Sequence, residues 1–129
     1  MSWEAEMAVI GGAVLDRQCA AVAADALAPE MFHDAQLGRV FGKLLDMYWA
    51  GEPLDSVTLI KSLPEDGPAI LQAARDVPKL EHYGEYVIIV QDEWQCGQIE
   101  DALRSIDMSY RALEDTAGEL WVRLDEQCR

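Results

Sequence analysis

Tyr83-Gly84-Glu85-Tyr86-Val87-Ile88-Ile89-Val90-Gln91-Asp92-Glu93-Trp94 is the stretch on which the fold turns. Its centre, Val87 to Val90, has the β-branched character of a strand. Polar residues surround it, however, and no second strand is available to pair with it. At helical spacing, Tyr83, Val87, Val90, Trp94, Ile99, Leu103, Ile106 and Tyr110 form one apolar stripe that begins just after Leu80. The stripe resumes as Leu113, Ala117, Leu120, Trp121 and Leu124. The reading is buried helix, with a break expected between Leu113 and Thr116 and Asp115 or Thr116 as a cap. The alternative, one unbroken helix, would span ~70 Å at 1.5 Å per residue.

Upstream, the punctuation is that of short helices. Ser2 is placed to cap a first helix carrying Trp3, Met7, Ile10 and Val14, with Ala5, Val9 and Ala13 beside them. Gly11-Gly12 costs ~1 kcal/mol per glycine in helix propensity. Paired glycines at that position point to close approach by another helix. Asp16 starts a second, alanine-rich helix to about Ala26. Leu27 to Phe32 is a connector with one short turn, for which Pro29 suits the first position. Asp34 caps a helix whose apolar face is Leu37, Val40, Phe41, Leu44, Leu45 and Tyr48, and Gly51 is placed to end it.

Asp55 or Ser56 then caps a short helix with Val57, Leu59, Ile60 and Leu63. Pro64 and Pro68 bracket a turn around Glu65-Asp66-Gly67, and a helix from Pro68 to about Arg75 stops at Val77-Pro78. The expected fold is all-α, with roughly seven helices: a compact bundle over 1–110, then a helical extension over 111–129.

Composition bounds the function. The 129 residues include 24 Asp plus Glu against 10 Lys plus Arg, a formal charge of −14. Such a surface repels phosphate, so no direct nucleic-acid binding is expected, and partners with basic patches are favoured. Cys19, Cys96 and Cys128 are odd in number and widely spaced, which suits reduced thiols in a cytoplasmic protein rather than a disulfide framework. No signal peptide is evident, and no apolar run approaches the ~18 residues of a membrane span.

Candidate chemistry is sparse. Gly38-Arg39-Val40-Phe41-Gly42-Lys43-Leu44 approximates a phosphate loop, but only three residues separate its glycines and Leu44 stands where a hydroxyl should bind magnesium. His33 and His82 lack nearby metal-ligand partners, and no histidine can be joined to a cysteine or serine as base and nucleophile. Acidic pairs such as Glu4/Glu6, Glu65/Asp66 and Glu114/Asp115 are expected by chance in so acidic a chain and read as solvated faces. No catalytic residue, cofactor or metal is therefore assigned. The tryptophans are more informative. Trp94 belongs to the stripe and is expected in the core, Trp3 is placed to pack the first helix down, and Trp49 is expected half exposed. Trp121 sits with Leu120 and Leu124, where an aromatic serves either the bundle or an interface hot spot.

Glu4-Ala5-Glu6-Met7-Ala8-Val9-Ile10-Gly11-Gly12-Ala13-Val14-Leu15-Asp16 resembles the opening of the N-terminal domain of DnaB-type replicative helicases. Further similarities follow in the family's order. They are the connector Leu27-Ala28-Pro29-Glu30-Met31-Phe32-His33-Asp34, the helix from Phe41 to Tyr48, the turn Gly51-Glu52-Pro53-Leu54-Asp55-Ser56-Val57-Thr58-Leu59, and Asp76-Val77-Pro78 followed by His82-Tyr83-Gly84-Glu85-Tyr86-Val87. Full-length members carry a RecA-like ATPase domain after this region. None lies within these 129 residues, which leaves a helicase fragment and a free-standing relative both open.

The resemblance implies a non-catalytic scaffold of DNA replication that dimerises through a helical hairpin and docks a primase or a helicase loader. The first arm of that hairpin would correspond to about residues 114–128. Leu113, Leu120, Trp121 and Leu124 are accordingly the candidate self-association and partner-binding residues, and their helical spacing supports this independently. Two other readings stand beside it: the helicase-binding domain of a primase, and an acidic inhibitor or DNA mimic.

Overall fold

The computed structural model describes residues 3–127, and their side-chain surroundings as far as residue 116. Six α-helices run in order: α1 (Trp3–Leu15), α2 (Arg17–Ala26), α3 (Ala35–Trp49), α4 (Ser56–Ser62), α5 (Gly67–Asp76) and α6 (Tyr83–Gln127). Short 3-10 turns at Pro29–Met31, Pro64–Asp66 and Leu80–His82 join them. The fold is all-α, with no strand among the described residues. Val87 to Val90 lie inside α6. The expected cap Ser2 falls outside the described residues.

The chain divides into two units, Met1–Trp94 and Gln95–Arg129. The first holds the core, built around α1. Every residue of α1 from Ala5 to Val14 is buried, so this is a central helix rather than an amphipathic one. It packs against α5, α2 and α3. Val9, Ile10, Val40, Phe41, Leu44, Leu59 and Ile70 are fully enclosed, and each such side chain is worth roughly 1.5–3 kcal/mol in removal from water. Phe32 stacks on Phe41 with ring centres 4.8 Å apart, fixing the connector onto α3.

The paired glycines do what close packing requires. A Cβ at Gly11 would collide with the backbone carbonyl of Ala73 on α5, and one at Gly12 would run into the ring of Tyr83. Tyr83 fills that space and donates its hydroxyl to the carbonyl of Val9 at 2.6 Å. Burial pushes the Tyr83 phenol far above its ordinary range, which keeps it a donor. Further along α6, Gln91 donates to the carbonyl of Ala26 at 3.0 Å, satisfying an otherwise open acceptor at the end of α2.

Helix ends follow the local chemistry. Asp16 caps α2 by accepting from the amide of Gln18 at 2.9 Å, and Asp34 caps α3 by accepting from Leu37 at 3.0 Å. Asp55 and Thr58 form a reciprocal capping box on α4. Gly51 takes a φ of 72° just beyond α3, in the left-handed region that favours glycine.

The expected break between Leu113 and Thr116 is absent, since α6 continues to Gln127. The segment holds neither Pro nor Gly. The hydroxyl of Thr116, instead of capping a new helix, donates back to the carbonyl of Ala112 at 2.9 Å.

Candidate interaction face on the terminal helix

The groups that first suggest chemistry have structural work. Gly38-Arg39-Val40-Phe41-Gly42-Lys43-Leu44 lies inside α3, where backbone amides already bond along the helix. Its glycines let Pro29 approach: Gly38 faces the carbonyl of Pro29 and Gly42 faces its ring. Among the described residues no group of three or more His, Cys, Asp or Glu could hold a metal ion.

Two carboxylates expected on solvated faces are instead buried. Glu6, 2% exposed, accepts a hydrogen bond from the amide of Asp34 at 3.2 Å and so ties α1 to the start of α3. Burial raises the Glu6 pKa, opposed by the amides of Asp34 and His33. The imidazole of His33 stands 3.9 Å from the same carboxylate, too far for a hydrogen bond. Asp66 is equally enclosed, between α5 and α3. Arg39 holds it with a two-pronged contact, Nε to Oδ2 at 3.1 Å and Nη2 to Oδ1 at 2.7 Å, and Gln36 adds a third donor at 3.1 Å. The Arg39 hydrogen bond, with help from Gln36, outweighs burial and lowers the Asp66 pKa. Acidic pairs are solvated by default on sequence grounds. Only the partners brought from 27–30 residues away mark these two out.

The aromatics separate similarly. Trp94 is partly buried rather than enclosed, Trp3 is 43% exposed, and Trp49 is 65% exposed beside Tyr48. Arg17 lies over the Tyr48 ring, 5.0 Å from its centre.

The apolar stripe of α6 changes character along its length. Tyr83, Val87 and Val90 are buried. Ile99, Leu103, Ile106, Tyr110 and Leu113 are each 59–69% exposed. The side chains of Leu120, Trp121 and Leu124 lie outside the described residues, although their backbone continues α6. Leu113, the one candidate whose surroundings are described, thus sits at the end of an exposed row that begins well before it. The change is visible as a step in spacing. Tyr83, Val87, Val90 and Trp94 follow steps of four and three, and the next position in that rhythm is Gly97. The row resumes at Ile99, two residues past that position, which puts it on nearly the opposite side of the helix, ~160° from the buried stripe.

A smaller apolar groove of about 150 Å³ lies in the first unit, lined by Glu4, Ala5, Ala8, Pro78, Tyr86 and Ile89. No helix among the described residues is long and apolar enough to cross a membrane.

Comparison with known proteins gives this architecture a family. The N-terminal domain of DnaB helicase from Mycobacterium tuberculosis superposes with a TM-score of 0.73 and 27% identity, over 82% of this chain and 83% of that one. The family profile described as DnaB-like helicase N terminal domain matches residues 1–92, which contain all of α1 to α5 and the buried start of α6. With the match covering well over half of its length, this chain belongs to the DnaB-like helicase N-terminal domain family.

Proposed function

We propose that this chain is a non-catalytic interaction and oligomerisation module of DNA replication, which self-associates through α6 and docks a primase or a helicase loader. One observation carries the reading: the exposed apolar row from Ile99 to Leu113, continued in sequence by Leu120, Trp121 and Leu124. An isolated helix of this kind is marginal in water, because helices draw most of their stability from packing an apolar face. A second helix laid along that row would supply it. Residues 111–129, with Leu113, Leu120, Trp121 and Leu124, form the outer part of this arm. The family supports the helicase side over a primase's own helicase-binding domain. Any ATP hydrolysis in an assembly containing this chain belongs to another domain.

Sedimentation of the wild type against the double variant Leu120→Asp/Trp121→Asp tests the self-association. The wild type is expected to sediment as an oligomer and the variant as a monomer. An unchanged monomer in both sinks this part of the proposal. Pull-down with the primase and loader of the same replication system tests docking, and absence of both interactions removes that part. Strongly salt-sensitive binding to an unrelated basic protein alone would favour the acidic-inhibitor reading instead.

A further inference from the structure

Exposed apolar side chains gather at one place on the first unit. Trp3, Leu80, Ile88 and Ile89, each 39–54% exposed, belong to two stretches: the start of α1, and the residues that lead from Pro78 into α6. Single exposed apolar residues are ordinary, whereas several around one concavity mark a binding surface. The groove of about 150 Å³ lies between these two stretches. Ala5 and Ala8 supply its α1 side, and Tyr86 and Ile89, with Pro78 from the connector before α6, supply the other.

Residue size explains why the space is open. Tyr83 packs against Gly12 and bonds to the carbonyl of Val9, while Tyr86 and Ile89 share the groove with Ala8, Ala5 and Glu4. The start of α6 therefore runs back along α1. At Gly12 the ring of Tyr83 takes up the room left by the missing side chain. At Ala8 and Ala5 small side chains line the gap and it stays unfilled. A space of ~150 Å³ holds a molecule the size of benzene. Sites for free small molecules are typically ~300 Å³ or larger, so the groove suits one side chain of a docked segment.

The charges around it select the segment. Glu4 lines the groove and is exposed. Glu85 and Glu93 stand one turn before and one turn after Ile89 on α6, and Glu81 lies in the turn that precedes that helix. Against these acids, residues 3–15 and 78–94 contain a single Lys or Arg, Lys79. His82 stands 4.0 Å from Glu81 and 3.8 Å from Glu85. A second copy of the chain would bring the same acids to this face, so like charges oppose it. A basic segment is complementary.

We propose that this groove is a docking site for a basic segment of another protein, which inserts one leucine-sized apolar side chain flanked by lysine or arginine. The site uses none of the residues from Ile99 to Leu124 and does not rest on the self-association proposed above. The apolar anchor supplies the fit to Ala5, Ala8, Tyr86 and Ile89. The flanking cations answer Glu4, Glu85 and Glu93.

Two synthetic peptides provide the test: acetyl-Lys-Arg-Leu-Lys-Arg-amide, and the same peptide with glycine in place of leucine. Each is titrated into the full chain, and the methyl signals of Ala5, Ala8 and Ile89 are followed by NMR. The leucine peptide is expected to shift these signals to saturation and to bind about fivefold or more tightly than the glycine peptide, as partial burial of one leucine side chain implies. Ile89→Lys is expected to abolish that preference. Glu4→Lys, at an exposed position, is expected to weaken both peptides alike while thermal unfolding stays unchanged. Equal binding of the two peptides reduces the effect to general charge attraction and overturns the proposal. So does a leucine preference undiminished in Ile89→Lys, which would place the anchor elsewhere. Unchanged affinity in Glu4→Lys overturns the basic character of the partner. Shifts of the same methyl signals on concentrating the protein alone would make a second copy the occupant and overturn the proposal as well.

Discussion

Gly11→Ala sets two effects of known size against each other. In an unobstructed helix, alanine in place of glycine gains up to ~1 kcal/mol of propensity. At Gly11 the added methyl meets the carbonyl of Ala73, a backbone atom that cannot rotate away. Relief requires α1 and α5, which pack closely along each other, to separate. Overpacking of this kind costs typically ~1–3 kcal/mol, and obstruction by backbone belongs to the upper part of that range. The net expectation is a loss of about 1–2 kcal/mol, or ~4–8 °C in Tm for a chain of this size. Gly84→Ala is the matched control, because a Cβ there meets nothing within 4 Å. It is expected to leave stability unchanged or raise it by up to ~1 kcal/mol. Urea and thermal unfolding of both variants, followed by circular dichroism, measure the split. If Gly11→Ala proves as stable as Gly84→Ala, the close approach of α1 to α5 is not what selects glycine, and the packing argument fails.

The buried carboxylates give opposite pH signatures. Arg39→Met leaves Asp66 buried with Gln36 as its remaining side-chain donor, and is expected to destabilise the fold at neutral pH. Because the folded Asp66 pKa is lowered from 3.8, its contribution is present above that value and lost as pH falls through the folded one. The difference between wild type and Arg39→Met, followed by urea unfolding from pH 7 to pH 3, should therefore shrink toward acid; a constant gap would refute it. Glu6 has the reverse sign: its folded pKa is raised from 4.5, so its contribution is fully present below that value and is lost as pH rises through the folded one. Glu6→Gln keeps an acceptor for the Asp34 amide without the buried charge, so relative to wild type it should gain stability from pH 4 to pH 7, and a relative loss over that range would count against a buried carboxylate there.

Much of this architecture is written locally. Asp16, Asp34 and Asp55 cap helices where their spacing predicts, Pro29 opens its turn, and Gly51 adopts the conformation its position requires. Local signals suffice there because a cap or turn involves neighbours within a few residues. Burial of Glu6 and Asp66 was not legible, because it depends on Asp34, Arg39 and Gln36 arriving from distant segments. The central place of α1 escapes periodicity for a related reason. A helix buried all round has no polar face to oppose its apolar one, so only its small residues and glycines hint at neighbours on every side. The break expected near Thr116 draws on Asp115 or Thr116 as a cap and on the length of an unbroken helix, but a threonine that can bond back to the preceding turn does not stop a helix.

The stripe on α6 shows how a single periodic pattern can hide two faces of one helix. Counted as apolar positions, Tyr83 to Leu124 reads as one continuous face. Counted as steps, it contains one irregular interval of five between Trp94 and Ile99, and the division into units falls after Trp94. Before the interval, the residues are chosen to fill a particular cavity: Tyr83 against Gly12, with its hydroxyl on Val9. After it, the repeat tightens to seven and the side chains stand exposed. The phase step is therefore the point at which the apolar row of α6 leaves the core and turns to the exposed side of the helix.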